Sequence, residues 1–595
     1  MAERAFLGVE RSLSGRVWRA RLTDDRLALA ISQRHELPEI LGRVLAAREV
    51  ALEDVASFLS PTLRELMPAP ALLADMEKGS ARIARAVMAG EQIGIIGDYD
   101  VDGVTSTALI TLLLRGCGVE PCVHIPDRIT EGYGPSRAAV TGLKEKGCTL
   151  LITLDCGVMA HDPLLLAQEL GLDVVIVDHH QAGEELPEAE AVINPNRQDD
   201  VSGYGYMSAV GVALVLAAVL LRDLRAAGYF TDARPAPDLL ALLDLAALGT
   251  VCDVVPLKGL NRAFVTQGLK VMGNRGNLGL ACLADVARLK RRPDSYALGF
   301  VMGPRLNAAG RVGSAMLAFE LLTATDKGRA MELAQKLEEM NRERQAIELR
   351  VVEQAAIQAE QSLGSSGTAP VLIVSGQGWH PGVLGLAASR LKERFGIPAI
   401  ALGVNTATGL ATGSGRSITG VDLGGAVRAA MLSGLLVKGG GHAMAAGLTV
   451  EAAKIGAFRA FMEEQLAAQT AKAAEGKALL IDAALSASGC KADLVHLLER
   501  AGPYGAGNPN PVFALPNHRV AWADGAGSDH VRCALTGADG TRLKAIAFRA
   551  LNTPLGEMLL NERQKPLHLA GRIQIDDWGG KGEVQLLIED AAEPV

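Results

Sequence analysis

The run Gly97-Asp98-Tyr99-Asp100-Val101-Asp102-Gly103 directly follows the apolar stretch Ile93-Gly94-Ile95-Ile96. A strand repeats its side-chain direction every two residues, so this alternation predicts Asp98, Asp100 and Asp102 on one side of a strand terminus. Three carboxylates that close repel one another and do not stay ionised together in a partly buried site without a counter-charge. Hard divalent cations bound through oxygen supply that charge, and Gly97 and Gly103 let the backbone turn closely around them. Taken alone, the segment also reads as a solvated acidic turn.

Three further clusters favour the metal site. Asp155 ends the stretch Leu150-Leu151-Ile152-Thr153-Leu154 and precedes Cys156-Gly157. Asp178-His179-His180 follows Val177, and Asp253 interrupts the apolar segment from Leu248 to Pro256. A neutral imidazole is a good ligand for manganese and similar ions, and a neighbouring carboxylate can fix its tautomer. Adjacent histidines on a strand face opposite ways; if one binds metal, the other meets substrate. A lone buried aspartate is costly unless paired or metal-bound. Singly, Asp155 could cap a helix, the histidines could be a satisfied core pair, and Asp253 could form a turn. Four such clusters, each expected at a strand end, indicate one composite site.

The elements that must position them follow from the pattern. Strand candidates at residues 92–97, 122–125, 149–154 and 173–177 are separated by helix-length segments. Continuous apolar strands alternating with helices predict a parallel sheet covered on both faces, with ligands outside the carboxyl ends of its strands. Residues 1–80 read as a helical segment, 81–325 as the catalytic α/β domain, and 326–364 as a long connecting helix. In that helix Leu333, Leu337, Met340, Ile347 and Val351 keep a three-four spacing, broken by Arg344. A rod between two domains is its expected use, with a self-pairing coiled coil as the alternative. Residues 365–470 read as a second, smaller α/β domain, and 471–595 as a small antiparallel barrel with turn glycines.

At 595 residues, and about 150 residues per domain, several domains are expected. The chain is 49% apolar and 21% charged, with net charge −8, which argues against wholesale coating of a polyanion but not against a basic channel. Eight scattered cysteines without a paired spacing fit a reducing compartment. The N-terminus lacks a signal pattern, and the apolar run Tyr206 to Leu221 is too short and too rich in Ala and Gly to span a membrane. A cytoplasmic protein with no membrane contact is the expectation.

The ordered set Gly97–Gly103, Leu154–Gly157, Val177–His180 and Gly249–Leu257 resembles the DHH phosphoesterase superfamily, and within it the single-strand-specific exonucleases. The resemblance continues through Gly303–Arg311, Gly378–Gly385, Gly413–Ile418, Gly439–Met444 and Tyr504–Phe513, over roughly residues 30 to 595. It implies a parallel-sheet DHH domain, a DHH-associated domain and a C-terminal oligonucleotide-binding (OB) barrel. It also implies two divalent ions, Mn²⁺ or Mg²⁺, held by Asp98, Asp100, Asp102, Asp155, His179 and Asp253. Asp155 would bridge them, and Asp98 would either ligate or orient water or a neighbouring ligand. His180 would touch the scissile phosphate. The pyrophosphatase branch carries a histidine shortly before its paired aspartates, where this chain has apolar residues and Gly97.

Two cations a few ångströms apart can generate hydroxide and stabilise an in-line phosphoryl transition state. Phosphate contacts are expected from Arg305 and Arg311, read as flanking a Gly/Asn turn, from Asn307, and from His380 and His442 in glycine-rich settings. The resemblance adds Ser414 and Arg416, with Arg128, as a pocket for a 5′-terminal phosphate. The basic run Arg288-Leu289-Lys290-Arg291-Arg292 could join a track for single-stranded nucleic acid. Aromatics are scarce, at 4%; the C-terminal region holds Phe513, Trp522, Phe548 and Trp578, and since core packing explains most aromatics in a small barrel, none of them is assigned to base stacking.

The expected activity is 5′→3′ degradation of single-stranded DNA to 5′-mononucleotides, in recombination, mismatch and base-excision repair. A single-strand-binding protein and a RecQ-type helicase are the implied partners. The competing readings are a DHH phosphodiesterase of short oligonucleotides or cyclic dinucleotides and a non-catalytic DNA-binding scaffold. The long linker and extra barrel count against the first, and the complete acidic and histidine set against the second.

Overall fold

Ile93–Gly97 and Leu150–Leu154 are buried along their whole length, as strands covered on both faces must be. In the computed structural model, which describes residues 4–364, 367–527, 529–561, 565–576 and 582–594, they form the middle of a five-stranded sheet. Its order is Cys122–His124, Ile93–Gly97, Leu150–Leu154, Asp173–Val177, Ala191–Ile193, parallel throughout. Ala191–Ile193 is an addition to the four strands expected; at three residues it is too short to give a periodic signal.

Alternation along the strands divides the packing. Ile96, Leu151, Val174 and Ile176 share a core with Ala139, Val140 and Leu143 of the helix Arg137–Glu145 and Leu164 of the helix His161–Glu169. The opposite face takes the helix Met76–Ala89, where Gly79 lies so close to Ile193, Ala191 and Val175 that a Cβ would stand 2.7 Å from Ile193. The helices Val101–Gly116, Ala209–Ala226 and Leu243–Cys252 pack together in the same layer.

The connecting helix runs from Lys327 to Leu363, with Asp326 capping it through the Arg329 amide. It packs on the helices Leu278–Val286, Gly303–Val312 and Met316–Leu322, and on Pro381–Phe395 and the strand Leu372–Gln377. It therefore joins the two α/β domains as a rod. Arg344, which breaks its apolar stripe, is buried and bonded to Glu348 and Asn341 at 2.5 and 2.6 Å. The second α/β domain has a mixed sheet ordered Lys438–His442, Ala445–Glu451, Leu410–Arg416, Ala399–Asn405, Leu372–Gln377.

By contacts the chain divides into one unit of Leu66–Pro256 and Ala263–Glu475 and another of Met1–Glu65, Leu257–Arg262 and Gly476–Val595. In the second unit Phe513–Ala526 pairs with both His530–Thr536 and Leu567–Ile575. The remaining ladders through Arg542–Ala547 and Val584–Ala592 close a ring of five strands, but these two strands pair in parallel, unlike the antiparallel barrel read from the sequence. Of the aromatics named there, Phe513 is buried in the core, whereas Trp522 and Phe548 are exposed, unlike the packing expected; Trp578 lies outside the described residues.

The N-terminal region differs from the helical segment read from sequence. Val17–Ala20 is a strand, paired in parallel with Ala478–Ile481. Trp18 is fully buried among Leu479, Ile481, Val512, Ala514 and Ala570, and its indole N–H donates to Asp590 at 3.0 Å. Ile31, Leu41 and Leu45 likewise share a core with Phe513, Leu535 and Leu569. Four residues next to a turn carry too little periodicity to announce a strand whose partner lies hundreds of residues away.

Candidate metal centre

Sheet register builds the site. Gly97 pairs with Leu154, Leu154 with Val177, and Val177 with Ile193, so these strands end level. The next residues are Asp98, Asp155, Asp178 and Asn194, and the ladder continues through them: Asp98 N–H donates to Leu154, Asp155 to Val177, and Asp178 to Ile193. A row of polar groups thus crosses the carboxyl edge of the sheet, where parallel sheets bind ligands.

The aspartates of the first motif reach the site differently from the alternation predicted. The strand ends at Gly97, and only Asp98 follows directly. Asp100 is the N-cap of Val101–Gly116, accepting from the Asp102 and Gly103 amides at 2.9 and 3.2 Å. Asp102 lies in the first helical turn. Its two oxygens accept from Ala209 and Val210 at 2.7 and 3.0 Å, at the N-terminus of another helix, where a negative charge is favoured. Gly103 serves close packing: a Cβ there would stand 2.6 Å from Asp98. Asp253 is the C-cap of the helix Leu243–Cys252 and not a strand end, and a carboxylate at that end of a helix opposes its dipole.

Asp155 has φ +62°, a conformation costly for a residue with a Cβ and one that collects at functional sites. The turn aims its carboxylate back over the sheet edge. His179 Nε2 lies 3.3 Å from Asp155, 3.7 Å from Asp253 and 3.9 Å from Asp102. His179 Nδ1 is 3.0 Å from the Met207 carbonyl, to which it donates, so the lone pair of Nε2 points at the three carboxylates. Burial and the neighbouring His180 push the His179 pKa down to about 4, which keeps it neutral.

Three groupings of potential ligand atoms overlap: Asp98, Asp100 and Asp155; Asp102, His179 and Asp253; and Asp155, His179 and His180. One oxygen each of Asp98, Asp155 and Asp253 is buried without a hydrogen-bond partner. Burial and mutual repulsion push Asp98 and Asp155 well above the carboxylate range, Asp102 up to about 7 and Asp253 up to about 9. Orphaned carboxylate oxygens converging on a neutral imidazole fit hard divalent cations, with Asp155 common to both halves.

His180 belongs to a second network. Its Nδ1 is 2.8 Å from Asp178 and 3.1 Å from the Tyr133 hydroxyl, which donates to the Asp155 carbonyl at 2.9 Å. Burial opposes charging His180 most strongly, but the Asp178 bond and the charges of Asp178, Asp98 and Asp100 together outweigh it and raise its pKa. Asp178 also accepts from the His179, His180 and Val158 amides, and the Asn194 and Asn196 amides hold the His180 and His179 carbonyls. Tyr133, Asn194 and Asn196 escaped the sequence reading. Asn-Pro-Asn at a strand end and a tyrosine between Gly132 and Gly134 were the available signals.

Beside the carboxylates stand three arginines, Arg128, Arg311 and Arg416. Arg128 lies over the Tyr99 ring at 4.9 Å; Arg311 donates to the Gly382 carbonyl at 2.9 Å; Arg416 donates to Ser414 Oγ at 2.9 Å. Burial, then repulsion from Arg128, Arg344 and Arg416, pushes Arg311 down to about 10. Burial and Arg128 also lower Arg416. Among the described residues none of the three forms an ion pair, which suits a bound polyanion.

The other predicted phosphate contacts are placed differently. Gly303–Val312 is a helix, not a turn. Arg305 on it is bound by Glu338 at 2.7 Å and the Val301 carbonyl at 2.6 Å, and Asn307 is half-buried on the same helix. His380 caps Pro381–Phe395 through the Gly382 amide at 3.1 Å. His442 is exposed at the end of the edge strand Lys438–His442, accepting from Met444.

Comparisons with known proteins agree with this architecture. The DHH family N-terminal domain matches residues 92–250, the DHHA1 domain 368–468 and the RecJ OB domain 481–590. The single-stranded-DNA-specific exonuclease RecJ of Salmonella typhimurium is 35% identical over 93% of this chain and 96% of that protein. RecJ of Escherichia coli is 34% identical over the same shares. The crystal structure of RecJ in complex with Mn²⁺ from Thermus thermophilus superimposes with a TM-score of 0.79 at 27% identity, covering 96% of this chain and 79% of that one. With relatives this similar along almost their whole length, and with DHH, DHHA1 and RecJ OB domains matched along the chain, it belongs to the RecJ family within the DHH proteins.

Proposed function

We propose that this chain is a metal-dependent exonuclease that degrades single-stranded DNA from the 5′ end to 5′-mononucleotides. The convergence of orphaned Asp155 and Asp253 oxygens on His179 Nε2, with the orphaned Asp98 oxygen grouped with Asp100 and Asp155, beside three arginines that form no ion pair among the described residues, carries the reading. Asp98, Asp100 and Asp155 would hold one divalent ion, and Asp102, His179, Asp253 and the shared Asp155 the other, as Mn²⁺ or Mg²⁺. Bound there, the ions supply activation of water and charge compensation for the phosphoryl group.

The chain's own residues do the rest. His180, held at Nδ1 by Asp178, presents Nε2 to a non-bridging oxygen of the scissile phosphate. Arg311 and Arg128 neutralise the adjoining phosphates, and Ser414 with Arg416 seats a 5′-terminal phosphate, which sets polarity. Tyr133 holds the turn of Asp155 and the ring of His180 in one geometry, so less reorganisation is required on reaction.

Service in recombination, mismatch and base-excision repair, with a single-strand-binding protein and a RecQ-type helicase as partners, belongs to this reading. So does a cytoplasmic location; among the described residues no helix is long and apolar enough to cross a membrane. Digestion of end-labelled single and double strands with Mg²⁺, Mn²⁺ or chelator tests it. Metal-dependent release of mononucleotides from 5′ ends of single strands is expected. Faster hydrolysis of a dinucleotide than of a long 5′-phosphorylated strand would instead identify a short-substrate phosphodiesterase.

A further inference from the structure

The two most exposed aromatic side chains among the described residues are Tyr296, 67% exposed, and Phe300, 70% exposed. They stack on each other, with ring centroids 5.0 Å apart and planes inclined by 25°. The wide helical turn Ala297–Met302 that carries Phe300 is anchored by its other side. Ala297, Leu298 and Met302 are buried, and Asp294 starts the turn by accepting from the Ala297 amide at 2.8 Å. The Cys252 thiol donates to the Leu298 carbonyl at 3.6 Å, and a Cβ on Gly303 would stand 2.5 Å from that sulfur. Cys252 immediately precedes Asp253, so the turn is fixed directly against the helix end that carries a candidate metal ligand.

Two flat apolar rings are thus held in water on a rigid support, although the chain has ample core to bury them. Their surroundings match one occupant. Upstream lies the exposed basic run Arg288, Lys290, Arg291 and Arg292, in a chain whose net charge is −8. Downstream the turn continues into the helix Gly303–Val312, which presents Arg311 to the arginine cluster. By helical rise, Phe300 and Arg311 are on the order of 15 Å apart along that path, a span that a few nucleotides cover. Cation, aromatic face and phosphate-binding arginine in succession form a track for a single strand, because every base offers a π-face and every linkage a charge.

We propose that Tyr296 and Phe300 form a stacking platform for bases a few nucleotides behind the 5′ end, with the 288–292 run taking the phosphates beyond. The proposal rests on the exonuclease reading and assigns the residues that grip the strand between cuts. It makes the turn a binding element of the catalytic domain itself, separate from the OB region.

The test uses the full chain and a 20-nucleotide oligothymidine with non-hydrolysable phosphorothioate linkages, compared with the same strand made abasic at nucleotides 3–8. Wild type is expected to bind the base-bearing strand about tenfold more tightly, the scale of base stacking on aromatic side chains. Phe300→Ala combined with Tyr296→Ala should remove that discrimination while binding the abasic strand as wild type does. Phe300→Trp should retain it, which a merely structural role for the ring pair does not require. A Mn²⁺-induced rise in melting temperature equal to wild type verifies that the variants keep the metal centre. Equal wild-type affinity for the two strands, or discrimination surviving in the double alanine variant, would overturn the platform. Absence of chelator-sensitive hydrolysis of single strands by wild type would instead overturn the exonuclease reading.

Discussion

His179 donates Nδ1–H to the Met207 carbonyl at 3.0 Å, and that bond leaves Nε2 facing Asp155 at 3.3 Å. The backbone ahead of the helix Ala209–Ala226 thereby selects the tautomer able to ligate metal, while the same helix start holds Asp102. Replacing His179 with Gln removes the ligand and retains a buried polar group of similar reach. Mn²⁺ affinity is expected to fall by tenfold or more, with hydrolysis of single strands lost and native circular dichroism retained.

The arginines divide into two classes. Arg416, unpaired and beside Ser414, is expected to recognise the 5′ phosphate; Arg416→Ala should cost about tenfold in preference for phosphorylated over hydroxyl 5′ ends. Equal losses on both ends would assign it another role.

Arg305 is bound to Glu338, with both side chains largely buried. Arg305→Ala should leave end preference unchanged and cost about 1–2 kcal/mol of stability, because the partly buried Glu338 loses one of its two arginine partners and keeps only the exposed Arg342. Denaturant midpoints and end-preference ratios on the same preparation separate these outcomes.

Trp18 ties the N-terminal strand to the core of the C-terminal unit. Trp18→Ala is expected to destabilise that unit by about 3–5 kcal/mol, the cost of emptying a buried tryptophan site. Differential scanning calorimetry should show one transition lowered and the one shifted by Mn²⁺ unchanged.

Asp244 is buried in the first turn of Leu243–Cys252, and burial pushes its pKa up to about 7. An acid whose folded pKa exceeds its unfolded value holds its proton more tightly when folded. Stability is therefore lost as pH rises from about 4 to about 7 and is level beyond. Asp244→Asn removes that loss. Its melting temperature in chelator should exceed wild type by an amount that grows from pH 5 to pH 7, worth at most about 4 kcal/mol. A constant difference across this range would contradict the assignment.

The catalytic sheet was legible because parallel strands buried on both faces are written as unbroken apolar runs ending in acids. How the acids converge was less so. The spacing of Asp98, Asp100 and Asp102 resembles strand alternation, yet it reflects a strand end, a helix cap and a helical turn in succession. Asp253 reaches the site from a helix end, which nothing in its apolar context announces. Arg305 and Arg311 look equivalent within one motif; only the register of the connecting helix, which brings Glu338 to Arg305, tells them apart. Tyr133, Asn194 and Asn196 act through backbone carbonyls, and such contacts leave no mark on residue spacing.

Five carboxylates, Asp98, Asp100, Asp102, Asp155 and Asp253, are proposed to form with His179 a two-ion centre that shares Asp155. Calorimetric titration of chelator-treated protein with Mn²⁺, wild type against Asp155→Asn, tests it most directly. Two equivalents are expected to bind wild type and at most one the variant, with hydrolysis of 5′-labelled single strands abolished and the fold retained. Two equivalents bound by Asp155→Asn, with hydrolysis at the wild-type rate, would contradict it.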